Sequence, residues 1–229
     1  MKLSFQCAFG AAALLVTASA AAQTYNTANF GVKGQLAISA ERLFGFYHDS
    51  ATVTANTADV TVKSDSFSLL SSPIPLGGTT LWSYGAPRVA GDYFVIDHLS
   101  LGGALGYSHI SVGIPNGNTT NSSSGDSLLI APRVGYAHLF TDLIGLWPRA
   151  GFTYRTLSAN DNSSHDLALT LEVPVIFTVI PHVAFWGGPT FDIGLGGSQS
   201  TRVGVVTQSL DFNVTEIGLQ TGLIAYLDL

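Results

Sequence analysis

Residues 99–108 read Leu-Ser-Leu-Gly-Gly-Ala-Leu-Gly-Tyr-Ser. One phase, Leu99, Leu101, Gly103, Leu105 and Tyr107, is mostly large and apolar. The other, Ser100, Gly102, Ala104, Gly106 and Ser108, is tiny and weakly polar. Side chains alternate between the two faces of a β-strand, so this stretch is a strand with one oily face and one nearly bare face. The texture recurs. Leu167, Leu169, Leu171, Val173, Val175, Phe177 and Val179 share a phase, as do Ile217, Leu219, Leu223, Ala225, Leu227 and Leu229. The fold turns on which solvent the oily face meets.

Composition answers that. Charged residues make up 10% of the chain and net charge is −6, where a soluble domain carries about 25% charged residues. The lysines are Lys2, Lys33 and Lys63 alone. A water-facing surface of Gly, Ala, Ser and Thr with so little charge is hard to keep soluble. Lipid outside removes the difficulty: the oily phase faces acyl chains and the small residues line a narrow lumen. Closed barrels and helices are the structures that satisfy backbone groups in a bilayer, and no segment is long and apolar enough for a spanning helix. The absence of a basic cluster argues against nucleic acid.

Residues 1–22 read as a secretory signal peptide: Lys2, an apolar run from Ala8 to Val16, then small residues, with cleavage after Ala20 or Ala22. Residues 23–33 read as a lead and 34–229 as the barrel. The only cysteine, Cys7, leaves with the signal, so neither disulfides nor thiolate sites are expected.

Eight strands are predicted: Gly34–Tyr47, Trp82–Val95, Leu99–Ser111, Leu128–Leu139, Leu146–Leu157, Leu167–Val179, Val183–Leu195 and Phe212–Leu229. Tight turns at 96–98, near 141–142 and at 180–182 alternate with polar stretches at 48–81, 112–127, 158–166 and 196–211 that read as loops. The expected fold is all-β: an eight-stranded antiparallel up-and-down transmembrane β-barrel with short periplasmic turns and longer extracellular loops. Pro87, Pro132, Pro148, Pro174 and Pro189 fall inside these strands, where each removes a ladder donor. Arg42 breaks the phase of the first strand, which a bulge near Glu41-Arg42 would repair; alternatively Arg42 snorkels from the outer rim.

The charges concentrate on the inward phase. Ala86-Pro87-Arg88-Val89 recurs as Ala131-Pro132-Arg133-Val134 and, loosely, as Trp147-Pro148-Arg149-Ala150. Arg88, Arg133, Arg149 and Arg155 face Glu41, Asp92, Glu172, Asp192 and Glu216, with Asp228 near the periplasmic mouth. Unpaired buried charge is strongly penalised, so these groups should pair and fill the lumen. Aromatics are expected in two girdles: Tyr93, Phe140, Trp147, Phe177, Phe185 and Trp186 near the tight turns, and Phe44, Phe46, Tyr47, Trp82, Tyr84, Tyr107, Tyr154 and Phe212 near the loops.

Catalysis has one foothold. His109 and Ser111 share the lipid-facing phase near the outer rim, a base beside a hydroxyl. No orienting acid is evident, since Asp126 and Asn116 fall in or near a loop. No histidine pair has metal-ligand spacing, and neither metal nor cofactor is expected. The pair resembles the His-x-Ser of outer-membrane phospholipases and lipid A deacylases, whose sites face the bilayer.

The whole mature chain resembles the small eight-stranded outer-membrane barrels of Gram-negative bacteria, the OmpA/OmpX/OmpW-like group, in signal peptide, strand phase, loop alternation and carboxy-terminal strand. Such barrels usually end in Phe, and this chain ends in Leu229. The resemblance implies residence in the outer membrane, contact with its lipid and lipopolysaccharide, and recognition by outer-membrane assembly machinery. The expected role is structural or surface-interacting and non-enzymatic, with the lumen closed by the Arg/Asp/Glu network and residues 48–81 available to an extracellular ligand. Alternatives are a narrow channel for small or hydrophobic solutes, a lipid hydrolase using His109 and Ser111, and a secreted soluble binder.

Overall fold

The alternating texture folds into one antiparallel sheet that closes on itself. A computed structural model describes residues 30–55, 58–70, 74–75, 83–116, 119–159, 162–203 and 206–229; the expected signal peptide and most of the lead lie outside them. Its strands are β1 (Gln35–Ala55), β2 (Ala58–Leu69), β3 (Ile74–Pro75), β4 (Arg88–Ile96), β5 (Leu99–Asn116), β6 (Thr119–Tyr136), β7 (His138–Leu139), β8 (Ile144–Leu146), β9 (Arg149–Ala159), β10 (Asn162–Glu172), β11 (Val175–Ile180), β12 (Val183–Val203) and β13 (Val206–Asp228). Eight wall strands result, because β6–β7, β8–β9 and β10–β11 each act as one interrupted strand. Pairing of β1 with β13, from Gln35↔Asp228 to Thr54↔Asp211, closes the barrel.

The prolines explain the interruptions. Pro148 separates β8 from β9, Pro174 separates β10 from β11, and Pro87 precedes β4. Each lacks the N–H a ladder needs. Pro132 and Pro189 stay within strands, but β6–β9 pairing passes from Ile130↔Tyr154 to Arg133↔Gly151 around Pro132.

The oily phase faces outward. Leu101, Leu105, Tyr107, Phe152, Phe185 and Leu219 are each more than half exposed, while Ser100, Ala104, Ala131 and Thr190 on the opposite phase are buried. A water-soluble barrel would be built the other way round. Small inward residues are required by the close wall: a Cβ on Gly102 would lie 2.3 Å from the Gly91 carbonyl oxygen.

The polar stretches expected as loops are mostly strand. Residues 48–55 extend β1 and 58–69 form β2, while β5–β6, β9–β10 and β12–β13 run on as long hairpins. Ser, Thr and Asn composition reads as loop, yet cross-strand polar pairs sustain the ladder above the apolar band. Examples are Thr52–Thr61 at 2.9 Å, Thr54–Asp59 at 2.8 Å and Ser198–Ser209 at 3.1 Å. The strand expected from Trp82 begins instead at Arg88, so β1 pairs with β4 over Leu36–Glu41 and with β2 over Phe44–Ala55.

Candidate functional site

A single bulge organises the lumen. The β1–β13 register shifts between Ala40 and Phe44, and Arg42 takes φ +55°. In a regular strand Glu41 and Arg42 would face opposite sides; the bulge turns both inward, and neither is exposed. Glu41 accepts from Arg88 Nε at 3.0 Å, from Arg133 Nη1 and Nη2 at 2.8 Å, and from Arg149 Nη1 at 2.7 Å. Arg42 turns to the opposite set: Asp192 at 2.9 Å, Glu216 at 3.4 Å and Glu172 at 3.5 Å.

Glu172 joins the two halves through Arg88 at 2.5 Å and Arg149 at 2.8 Å, and accepts from Gln220 Nε2 at 3.1 Å. Asp92 is bidentate to Arg133, at 3.0 and 2.5 Å. The Arg149 guanidinium sits over the rings of Trp147 and Trp186, 4.7 and 4.9 Å from their centroids. Near the short-turn end, Arg88, Arg133 and Arg149 thus balance Glu41, Asp92 and Glu172.

Toward the extended end, buried acids outnumber cations: Asp49, Asp166, Asp192 and Glu216 face Arg42 and Arg155. Neutral donors supply the difference. The segment Ser83–Pro87 runs through the lumen, with Tyr84 fully buried. Ser83 Oγ donates to Glu216 at 2.5 Å, the Tyr84 backbone N–H to the same carboxylate at 2.8 Å, and the Tyr84 hydroxyl to Asp166. In return its carbonyls accept from the arginines: Tyr84 O from Arg42 at 2.6 Å and Ser83 O from Arg155 at 2.9 Å. Arg155 also pairs with Asp166 at 2.9 Å and stacks 4.3 Å from the Tyr84 ring centroid.

The opposite mouth is capped by the lead. Phe30 inserts among Phe94, Trp147 and Tyr226, with ring centroids 5.1 to 5.3 Å away and edge-on. Asp228 accepts from Gln35 Nε2 beside it at 3.0 Å.

The structure brings Glu41, Arg88, Asp92, Arg133, Arg149, Arg155, Glu172, Asp192 and Glu216 into the lumen, although Arg155 joins the Asp166 end and not the central group. It adds Arg42, Asp49, Asp166, Tyr84 and Phe30. Arg42 is therefore a lumen residue and does not snorkel; the bulge was the readable signal. Asp166 was hidden in a stretch that reads as loop. The girdles need correction too. Tyr93, Phe140, Phe177, Phe185, Phe44, Phe46, Tyr107 and Tyr154 face outward, but Trp147, Trp186, Tyr47, Tyr84 and Phe212 are buried inside. Their rings fill space that the small wall residues leave. Trp82 lies outside the described residues.

On the outer face, β5 and β6 pair His109 with Asp126, so Asp126 is a strand residue, not a loop residue. His109 Nδ1 lies 2.8 Å from Asp126 Oδ1, and the Tyr107 hydroxyl donates to the same oxygen at 2.7 Å. These bonds, His109 first, hold the Asp126 carboxyl below the usual range. Ser111 pairs with Ser124 along the backbone; its side chain lies outside the described residues. The β1–β2 hairpin repeats the arrangement, with His48 Nδ1 2.8 Å from Asp65. Among the described residues no cluster of His, Cys, Asp and Glu is suited to a metal ion.

No protein-family profile matches the chain. No curated protein matches it. Solved structures do. The outer membrane protein OprG from Pseudomonas aeruginosa is similar with a TM-score of 0.53 at 13% identity, covering 87% of this chain and 99% of OprG. The outer membrane protein AlkL in lipid bilayers is similar with a TM-score of 0.55 at 11% identity, covering 91% of this chain and 97% of AlkL. With its wall strands closed by β1 and β13 and its oily phase outward, the chain has the fold of the small eight-stranded outer-membrane β-barrels.

Proposed function

We propose that this chain is an outer-membrane barrel with a closed lumen, and that its role is structural or surface-interacting through the strands that rise beyond the apolar band. The short-turn end faces the periplasm and the extended hairpins face the exterior, following delivery by a cleaved signal peptide. Assembly machinery and outer-membrane lipid are its expected partners. Hairpin β1–β2 and its continuation, residues 48–81, are available to an extracellular ligand.

The carrying observation is that the lumen is occupied along its length. Aromatic rings around Phe30 fill one end, the Glu41–Arg42–Glu172 network fills the middle, and the Ser83–Pro87 strap fills the other end. An eight-stranded barrel leaves only enough interior for its own side chains. Purified protein in planar bilayers tests this. The closed reading expects no steady conductance steps above the bare membrane; reproducible steps would establish the narrow-channel alternative.

A second reading, a lipid hydrolase, is favoured by one observation: Asp126 supplies the orienting group that a His109/Ser111 pair needs. The matching His48–Asp65 pair on another hairpin weighs toward a shared structural role. Phospholipid and glycolipid ester hydrolysis by the folded protein and its Ser111→Ala variant separates the two; equal background rates end the hydrolase reading.

A further inference from the structure

The outward face of β5, β6, β9 and β10 holds a groove of ≈ 340 Å³, within the range of small-ligand sites. Its floor is low because Thr156 and Ser158 stand where neighbouring rows carry large side chains. Tyr107 and Asp126 rise on one side and His165 on the other, with Tyr154 at the lower edge. The cross-strand row just below, Leu105, Ile130 and Leu167, is apolar and exposed. The groove therefore straddles the level where acyl chains give way to head groups.

Its chemistry is specific. Asp126 is fixed by hydrogen bonds from His109 and Tyr107 that converge on Oδ1, so neither of them occupies its second oxygen. The residues lining the groove include no lysine or arginine, so it is not built to hold phosphate. Hydroxyls of Thr156, Ser158 and Tyr154 can both donate and accept, while that of Tyr107, whose proton goes to Asp126, can still accept. Tyrosine rings also offer flat apolar surface to the C–H faces of a sugar ring.

We propose that this groove binds the sugar head group of an outer-leaflet glycolipid, with Asp126 accepting from sugar hydroxyls and Tyr107 and Tyr154 packing against the ring. The proposal rests on the barrel lying in the outer membrane and is independent of whether its lumen is closed.

The test uses the full chain folded in phospholipid nanodiscs, with binding read by native mass spectrometry. Probes are purified rough-type lipopolysaccharide, the same glycolipid after enzymatic dephosphorylation, and phosphatidylglycerol. Both glycolipids should bind within about threefold of each other, with phosphatidylglycerol failing to compete. Asp126→Asn should weaken binding about tenfold or more, as loss of a charge-assisted hydrogen bond does. Ser158→Trp, which fills the floor from an exposed position, should abolish binding, and Asp65→Asn on the other hairpin should leave it unchanged. Heat-dependent gel mobility certifies that each variant is folded. Binding that vanishes on dephosphorylation, equal competition by phosphatidylglycerol, or folded Asp126→Asn and Ser158→Trp proteins that bind like the parent would each overturn the proposal. Conductance measurements on the same samples judge the closed lumen separately.

Discussion

Glu41→Gln places the lumen network under direct test. The Glu41 carboxylate takes four contacts of 2.7 to 3.0 Å from Arg88, Arg133 and Arg149. Gln preserves volume but removes the charge, and its amide N–H groups would face guanidinium donors. Three buried arginines would then share Asp92 and Glu172, leaving one positive charge uncompensated near the short-turn end. Removing one partner of a buried ion pair costs about 3–5 kcal/mol, more than a hundredfold in the folding equilibrium. Urea unfolding of the protein folded into lipid vesicles, followed by heat-dependent gel mobility, measures this. The double variant Glu41→Gln/Arg88→Met removes a cation together with the anion, leaving Arg133 with Asp92 and Arg149 with Glu172, and should recover about 1–3 kcal/mol of the loss. If Glu41→Gln lies within about 0.5 kcal/mol of the parent, water screens the lumen and the network does not hold the barrel together.

Other outcomes follow from the same geometry. Tyr84→Ala removes the ring that stacks on Arg155 and the hydroxyl that satisfies Asp166; it should introduce measurable single-channel conductance in planar bilayers, and a silent variant would show that the strap is not the seal. Gly102→Val drives a side chain into the Gly91 carbonyl and the Asp92 side chain, and overpacking of that kind costs about 1–3 kcal/mol or more; the folded gel band should be depleted, and normal yield would refute the tight wall at β4–β5. Asp126 has its carboxyl depressed by hydrogen bonds from His109 and Tyr107. Its stabilising contribution to the hairpin is therefore present above the ordinary carboxylate range of about pH 4 and disappears as pH falls through the lower folded value. Carbon-13 NMR titration of the Asp126 carboxyl should give a midpoint below that of a free aspartate; one at or above it would deny the two bonds.

Strand phase and lysine scarcity made the inside-out barrel legible, because lipid on one side and a narrow lumen on the other leave few alternatives for Leu101, Leu105 and Tyr107 or for Ser100 and Gly102. The phase also placed Arg88, Arg133, Arg149 and Arg155 inward. What it missed has three physical sources. Hydroxyl-rich composition does not separate loop from extended hairpin, so Asp126 and Asp166 read as loop residues although strand pairing fixes them. A bulge changes face without changing composition, which left the position of Arg42 open. Segments that fill a lumen have no period of their own, so neither the Ser83–Pro87 strap nor the insertion of Phe30 leaves a pattern to read.

The bulge at Glu41-Arg42 has a consequence for how the barrel is made. Glu41 gathers its arginines from β4, β6 and β9, whereas Arg42 gathers its acids from β10, β12 and β13, up to 174 positions along the chain. Contacts that close such long stretches form late and slowly. Closing β13 on β1 brings both Asp192 and Glu216 to Arg42, which is fully buried in the finished barrel, so the same step that desolvates the guanidinium supplies its charge partners. The first wall strand thus carries a charge whose acids all come from the later strands β10, β12 and β13, so its compensation is complete only when β13 closes the barrel on β1.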